Sequence, residues 1–238
     1  ANGSGSSNTD GTINTTATSA NVDAGFSIIK HTGNATANAT IGHGLSKAPE
    51  LVISKVTTHS SHIWSIFVKE LGNSNHLAFT TAASHNEWEG HEGTTASVIQ
   101  LSASASSNFN LTNKDVITYA WHSVDGYSKV GSYTGNGSTD GTFVYTGFRP
   151  AYVMIKPSSR GGHWMVANNK SSPSNVVDKV IFANASAGEY TDPTADCKKD
   201  FFSNGFKIRT TDDNTNESGA TYIYLAFAET PFKYSNAR

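Results

Sequence analysis

The sequence predicts an all-β protein made of two tandem, internally duplicated antiparallel β-sandwiches with a jelly-roll-like layout. Short apolar segments alternate with turns rich in Gly, Ser, Thr and Asn, and none carries the sustained 3.6-residue apolar stripe of a helix. A long sequence segment of the first half of the chain recurs in the second half. A chain of 238 residues is also long enough for two domains that each bury a core.

The repeated phrase runs from Gly25 to Lys55 and returns, shortened, from Gly131 to Lys156. Within it His31-Thr-Gly-Asn34 aligns with Tyr133-Thr-Gly-Asn136, and each copy ends on an apolar run closed by a lysine. Further matches follow in the same order towards the end of each copy. A repeat of this length indicates a duplicated domain rather than a solenoid.

Strands are predicted in the first unit wherever β-branched and aromatic residues alternate. They are Phe26 to Lys30, Leu51 to Lys55, Ile63 to Lys69, Leu77 to Phe79, Ala96 to Leu101 and Val116 to Ser123. Ile63 to Lys69 is apolar enough to be buried on both faces. Ser84 to Thr95 is polar and is predicted to be a loop.

The second unit repeats this plan. Its predicted strands are Thr142 to Tyr145, Tyr152 to Lys156, Trp164 to Val166, Val176 to Phe182, Phe201 to Ile208 as a hairpin through Asn204-Gly205, and Tyr222 to Phe227.

The predicted domains are residues 23–129 and 130–238, preceded by residues 1–22. Two interpretations of residues 1–22 stay open. The Gly/Ser-rich composition is typical of a flexible linker. The Asp10-Gly11 turn signal and the β-branched run after it instead indicate strands, as the remnant of a preceding repeat.

Bulk properties exclude several classes of protein. The net charge of −2 provides no basic footprint for nucleic acid. No apolar run is long enough for a membrane-inserted helix. The single cysteine, Cys197, excludes an internal disulfide. No sequence pattern indicates a cofactor.

Several phrases resemble a known family. ANGSGSSNTDG at the start, GSYTGNGSTDGTFVYTGFRPAYVMIK in the middle and the ending from Ser203 to Arg238 resemble the C-terminal β-repeats of virion structural and tail-fibre proteins of marine tailed phages. The resemblance spans nearly the whole chain, and it carries no catalytic or ligand residues.

The resemblance implies a non-enzymatic protein on the virion surface, outside the cell. We expect a tail fibre or fibre-tip module that attaches the phage to its bacterial host, with a capsid decoration or head-fibre protein as the alternative. The expected partners are further copies of the chain, as a homotrimer or another ring, other virion proteins, and a host surface glycan or protein.

Candidate ligand-binding residues are an aromatic side chain and its neighbours in a polar loop. They are Glu87, Trp88, Glu89 and His91, together with Tyr190, the counterpart of Trp88 in the second unit. Aromatic rings on loops stack on the apolar faces of sugars. By contrast, we expect Trp64 and Trp164 to belong to the cores.

The sequence supports an enzymatic function less well than a binding function. Glu87 and Glu89 could serve as the paired carboxylates of a depolymerase, which must lie about 5 to 10 Å apart. A serine hydrolase would need Ser, His and an acid, and no G-x-S-x-G motif occurs.

Two metal sites are conceivable. His59, His62 and His85 could converge on Zn or Ni as neutral imidazoles. The oxygen-rich run from Asp212 to Glu217 has alternating ligands but lacks the spacing of an EF-hand, and a plain turn is the favoured interpretation.

Overall fold

The computed structural model describes residues 3–58, 62–73, 75–83, 91–102, 109–191 and 197–231, and they are almost entirely β-structure. This confirms the all-β prediction. The named strands pair antiparallel in four sheets. The described helical segments are the 3-10 turn Lys69–Leu71 and the single-turn helix α1, Asp213–Asn216. No helix of the described residues is long and apolar enough to cross a membrane.

The chain divides into two compact units. The strands of the first are β1 (Ala17–Asn21), β2 (Phe26–Thr32), β3 (Thr40–Gly42), β4 (Leu51–Val56), β5 (Ser65–Val68), β6 (His76–Ala78), β7 (His91–Thr94), β8 (Val98–Leu101) and β9 (Asp115–Trp121). They form a six-stranded sheet in the order β1-β2-β9-β4-β5-β6 and a three-stranded sheet in the order β3-β8-β7.

The strands of the second unit are β10 (Ser128–Thr134), β11 (Phe143–Tyr145), β12 (Pro150–Pro157), β13 (Met165–Asn168), β14 (Lys179–Phe182), β15 (Tyr190–Thr191), β16 (Lys199–Phe202), β17 (Gly205–Ile208) and β18 (Thr221–Ala228). The large sheet has the order β10-β18-β12-β13-β14-β15 and the small sheet the order β11-β17-β16.

The two units share one strand order. The run β2-β9-β4-β5-β6 corresponds to β10-β18-β12-β13-β14, and β3-β8-β7 corresponds to β11-β17-β16. The aligned strands also hold equivalent positions, because Leu51 pairs with Trp121 as Tyr152 pairs with Phe227. The architecture therefore agrees with the sequence repeat, while duplication of an ancestral unit stays an interpretation.

Each unit buries its core between its large and small sheets, as a β-sandwich does. In the second unit one continuous apolar cluster includes Val153, Ile155 and Tyr224 from the large sheet and Val144 and Phe206 from the small sheet. Trp164 is also fully buried, which confirms that part of the prediction.

The interior of the first unit is different, because polar residues interrupt its apolar core. One cluster contains Ile29, Val52 and Phe67, and a separate small cluster consists of Val56, Phe109 and Val116. Buried polar side chains of the same interior are His31, Ser54, Ser65, His76, His91 and Thr118.

The N-terminal arm, residues 3–16, is folded onto the first unit. Ile13 and Thr15 are buried, and β1 follows and pairs with β2 along its full length. The linker interpretation is therefore wrong for this segment, because β1 and Ile13 supply a sheet edge and core surface that a linker would leave exposed.

The boundary between the units also differs from the prediction. The first unit ends at His122 and the second begins at Ser123, rather than at residue 130. The reason is that Val124 exchanges backbone hydrogen bonds with Ser128 and so belongs to the β10 side. The segment Thr80–Ala83 is part of the second unit as well.

The lysine that ends each repeated phrase has a structural role. Lys156 is fully buried, and its Nζ donates to the carbonyls of Ala82 (2.7 Å) and Gly162 (2.8 Å). Burial, and secondarily the Arg160 guanidinium, lower the pKa of Lys156 to about 8. In the first unit, Lys55 Nζ donates in the same way to the carbonyl of His62.

In each unit, a buried asparagine that is distant in sequence forms hydrogen bonds with the segment that contains the Thr-Gly-Asn motif. In the second unit, Asn216 Oδ1 accepts from the backbone N–H of Asn136 (3.0 Å). Its Nδ2 donates to the carbonyls of Ser138 (2.8 Å) and Thr210 (2.7 Å). These bonds fasten the loop after β10 to α1.

The first unit repeats the arrangement with Asn110. Its Oδ1 accepts from the N–H of Asn34 (3.0 Å), and its Nδ2 donates to the carbonyl of Thr36 (2.7 Å). The sequence repeat around Asn34 and Asn136 therefore corresponds to one hydrogen-bonding arrangement that occurs in both units.

Candidate functional site

Most of the predicted ligand and metal residues fall in segments that the structure does not describe. Glu87, Trp88, Glu89, His85 and His59 lie outside the described residues.

His91 lies in the interior, so the prediction of a loop through Thr95 is wrong in its last part. His91 begins β7 and is fully buried. Its Nε2 is 2.8 Å from Ser54 Oγ, which is 2.8 Å from Thr118 Oγ1, and its ring stacks on Phe109 at 5.4 Å. A side chain in this position cannot contact an external ligand.

The Ser54–His91 pair has the separation of a nucleophile and its base, but its environment is unsuited to catalysis. Both side chains are fully buried. Burial, with smaller contributions from His76 and His31, lowers the pKa of His91 to about 3, so the imidazole is a weak base. The pair therefore serves as a hydrogen-bonded part of the interior.

The predicted metal sites receive no support from the described residues. His62 is half-buried in the loop before β5. Among the residues that the structure describes, no group of three or more His, Cys, Asp or Glu side chains is arranged to hold an ion. In the acidic run at α1, Arg160 pairs with Asp213 (3.2 Å) and Glu217 (2.9 Å) and supplies the positive charge.

Tyr190 is on the surface, with 37% of its area exposed, and lies in the short strand β15 rather than in a loop. Its ring contacts only that of Phe182 among the described aromatic residues, at 6.3 Å. Trp64 is half-buried and stacks on Tyr119 (6.3 Å), so the prediction that it belongs to the core holds only in part.

Among the residues that the structure describes, the most exposed aromatic side chains lie on the small sheet of the second unit. Tyr145 is 66% exposed and Phe143 is 44% exposed, both on the outer face of β11. Phe202 of β16 is on the same face, because Gly205 of β17 pairs with both Tyr145 and Phe202. We call Phe143, Tyr145 and Phe202 the aromatic face.

Gly205 allows these rings to come together. A Cβ at this position would lie 2.9 Å from Phe143 Cζ and would also collide with the carbonyl of Val144. Without that atom, the Phe143 ring lies over the middle strand, and its centroid is 6.1 Å from that of Phe202. The result is a continuous apolar surface across three strands.

Charged groups border the aromatic face. Lys207 Nζ is 2.6 Å from Asp140 Oδ1, and Arg209 contacts Asp140 (3.2 Å) and Asp200 (2.6 Å). The hydrogen bond and charge of Lys207 lower the pKa of Asp140, which keeps its carboxylate ionised. An apolar centre with a polar rim is the usual composition of a ligand-binding surface.

The corresponding strand of the first unit, β3, does not carry these aromatic residues. The positions of Phe143 and Tyr145 are taken there by Thr40 and Gly42, according to the registers of β3 and β11. Asn8 of the N-terminal arm lies directly over Gly42, where a Cβ would collide with it. The aromatic face is therefore a property of the second unit.

Sequence reasoning missed this face, although a signal was present. An outer strand of a two-layer sandwich has one face to bury, so alternate positions are expected to be polar. Phe143-Val144-Tyr145 is apolar on both faces, and Phe201-Phe202 repeats the pattern on β16. Such excess apolar residues indicate an exposed contact surface.

A family model titled "Domain of unknown function (DUF7483)" matches residues 1–231, and the chain therefore belongs to that family. No curated protein and no solved structure matches the chain.

Proposed function

We propose that the chain is a non-enzymatic surface protein of a phage virion, a tail-fibre or fibre-tip module that attaches to the host through the aromatic face of the second unit. The observation that supports the binding role is the exposure of Phe143 and Tyr145 on one sheet face that also carries the half-buried ring of Phe202. The resemblance of the chain to virion proteins of marine tailed phages supports the location.

A bacterial surface polysaccharide is the ligand class that fits this face. Pyranose rings present apolar C–H faces that stack on aromatic rings, while their hydroxyls bond to a polar rim. Phe143, Tyr145 and Phe202 supply the rings, and Asp140 and Lys207 supply donors and acceptors at the edge.

Binding to polysaccharide tests the proposed activity. Purified lipopolysaccharides and capsular polysaccharides of marine bacteria would be immobilised and probed with the recombinant chain. We expect Phe202→Ala to reduce binding to a responding polysaccharide by about tenfold or more, the effect of removing one stacking ring. Ile181→Ala is the matched control, since Ile181 is an exposed apolar residue on the large sheet.

Two outcomes would contradict the aromatic face as the binding site. Retention of full binding by Phe202→Ala, Phe143→Ala and Tyr145→Ala would refute the aromatic face as the site. Loss of binding in a Tyr190→Ala variant alone would instead assign the site to β15.

The location is tested by antibody labelling of intact virions. Label confined to the tail or its fibres is the expected result. Label spread over the head would replace the attachment proposal with a capsid role.

A further inference from the structure

The strand order of the small sheet leaves β11 at an edge. On its inner side β11 is bonded to β17 and to the residues that flank it. The Ile208 N–H donates to the Thr142 carbonyl (3.1 Å), and the Thr146 N–H donates to the Asn204 carbonyl (3.0 Å). Because hydrogen-bonding direction alternates along a strand, the N–H and C=O groups of Phe143 and Tyr145 point away from β17. None of these groups bonds to another described residue.

The corresponding edge of the first unit is covered. Thr40, at the position of Phe143, donates its N–H to Thr12 Oγ1 (2.8 Å) and accepts at its carbonyl from the Ile13 N–H (3.0 Å). Ile13 also forms a parallel bridge with Ile41. The fold therefore places a chain segment along this edge in one unit.

Two other edges of the second unit, those at β16 and β10, are closed. Val177 exchanges two backbone hydrogen bonds with Lys199 at the far side of the small sheet. On the large sheet, Val124 bonds to Ser128 and Ser123 Oγ accepts from the Val130 N–H (3.0 Å). The β11 edge, the outward side of Phe143–Tyr145, has no such cover among the described residues.

The side chains of β11 do not protect this edge. Soluble proteins commonly block an exposed edge with lysine, proline or a β-bulge. Phe143-Val144-Tyr145 contains none of these, and its register with β17 is regular. Two exposed aromatic side chains instead flank the edge.

We propose that β11 pairs with β11 of a second copy of the chain across a two-fold axis at Val144. Antiparallel pairing about this residue sets Phe143 of one copy opposite Tyr145 of the other. The edge is self-complementary, because its outward groups can then form about four backbone hydrogen bonds. Phe143 and Tyr145 become cross-strand aromatic neighbours, a stabilising combination.

The pairing joins two three-stranded sheets into one of six strands. Outer-face side chains stand perpendicular to a sheet, so the aromatic faces of both copies lie on the same side. A long polymer can then contact both faces at once, which increases its apparent affinity. This last consequence rests on the proposed function, whereas the pairing does not. A two-fold contact differs from the homotrimer that was the first expectation from the resemblance, with another ring as its alternative.

Sedimentation of the full chain tests the pairing. We expect a concentration-dependent dimer of the 25.3 kDa chain. Tyr145→Pro removes the outward N–H without removing a bond to β17, and proline is compatible with an edge strand. Its dimer dissociation constant should rise by about tenfold or more compared with Tyr145→Ala, which lacks the ring but retains the N–H.

Two further measurements test the pairing without the Tyr145 variants. In the wild type, amide exchange of a peptide covering residues 142–146 should slow as protein concentration increases, which needs no variant. Phe202→Ala should still dimerise while losing polysaccharide binding, because Phe202 lies two strands from the edge. The pairing would be overturned if the wild-type chain stayed monomeric or if Tyr145→Pro did not weaken the dimer. It would also be overturned if the exchange of residues 142–146 slowed only when a separate peptide was added.

Discussion

At the scale of single residues, the repeated Thr-Gly-Asn motif is explained by close approach. A Cβ on Gly135 would collide with the carbonyl of Glu217 and lie 2.8 Å from the carbonyl carbon of Asn216. Gly33 has the same relation to the loop that carries Asn110. Glycine lets the loop approach closely, and the backbone N–H of the adjacent asparagine donates to the amide oxygen of the buried asparagine.

Replacing Asn216 by alanine should destabilise the second unit by about 3 kcal/mol. The change leaves the buried Thr210 carbonyl without its amide partner, which costs about 1–3 kcal/mol, and it also removes the bonds to the Asn136 N–H and the Ser138 carbonyl. Chemical denaturation measures the loss. Ser218→Ala, at an exposed neighbouring position, is the control and should change stability by less than about 0.5 kcal/mol.

His91 makes the stability of the first unit dependent on pH. Its pKa is about 3 in the folded protein and about 6.5 when unfolded. Between these values the unfolded chain binds a proton that the folded chain excludes, so stability falls as the pH falls through this window. The loss attributable to His91 at pH 5 is about 2 kcal/mol.

Substitution His91→Gln tests this assignment, because glutamine can still bond to Ser54 but does not titrate. Denaturation at pH 7.5 and pH 5 should show a smaller difference in the variant than in the wild type. His31 and His43, whose pKa values burial also lowers, leave a residual dependence of the same sign. An unchanged difference would assign the pH dependence to other groups.

At the scale of elements, alternation predicted the strands that bury apolar side chains on one or both faces. β2, β4, β9, β12 and β18 lie where expected, and β5 is buried on both faces. The hairpin of β16 and β17 is also confirmed, although its turn is at Ser203–Asn204 and Gly205 begins β17.

The strands that sequence reasoning missed contain too few apolar residues to show a period. β3 is Thr-Ile-Gly, β10 contains Gly131 and two serines, and β7 is His-Glu-Gly-Thr. Tertiary contacts position them instead, as the hydrogen bond between Ser54 and His91 does for β7. The candidate site was missed for a related reason, since register across three strands decides which aromatic residues share a face.

The N-terminal arm is predicted to stabilise the first unit rather than to tether it. Ile13→Ala should lower the unfolding free energy of that unit by about 2 to 4 kcal/mol, because it removes a buried side chain from the core. Asn14→Ala changes the exposed neighbour and should have little effect. Thermal denaturation compares the two, and equal effects would mean that the arm does not contribute to the core.

At the scale of the whole molecule, the two units share a topology but differ in interior chemistry. Eight of the nine histidines precede residue 123, and the second unit contains only His163. Positions occupied by Ser54 and Thr118 in the first unit correspond to Ile155 and Tyr224 in the second, by the registers of the large sheets. A fall in pH is therefore expected to lower the stability of the first unit more than that of the second.

We expect the first unit to open before the second on acidification. Amide exchange at pH 5, corrected for intrinsic rates and compared with neutral pH, should show lost protection in β4 and β9 while β12 and β18 stay protected. Equal loss in both units would contradict the assignment to buried imidazoles. Lys156, with its pKa of about 8, does not oppose it, because the lysine is charged throughout the acid range.

Cys197 is the chain's only sulfhydryl, and it lies unoxidised in the core of the second unit. A thiol reagent reaches a buried cysteine only when the surrounding structure opens. The rate at which the wild-type chain is labelled therefore reports the opening of one unit alone. No engineered probe is needed, and the histidine-rich unit contributes no background.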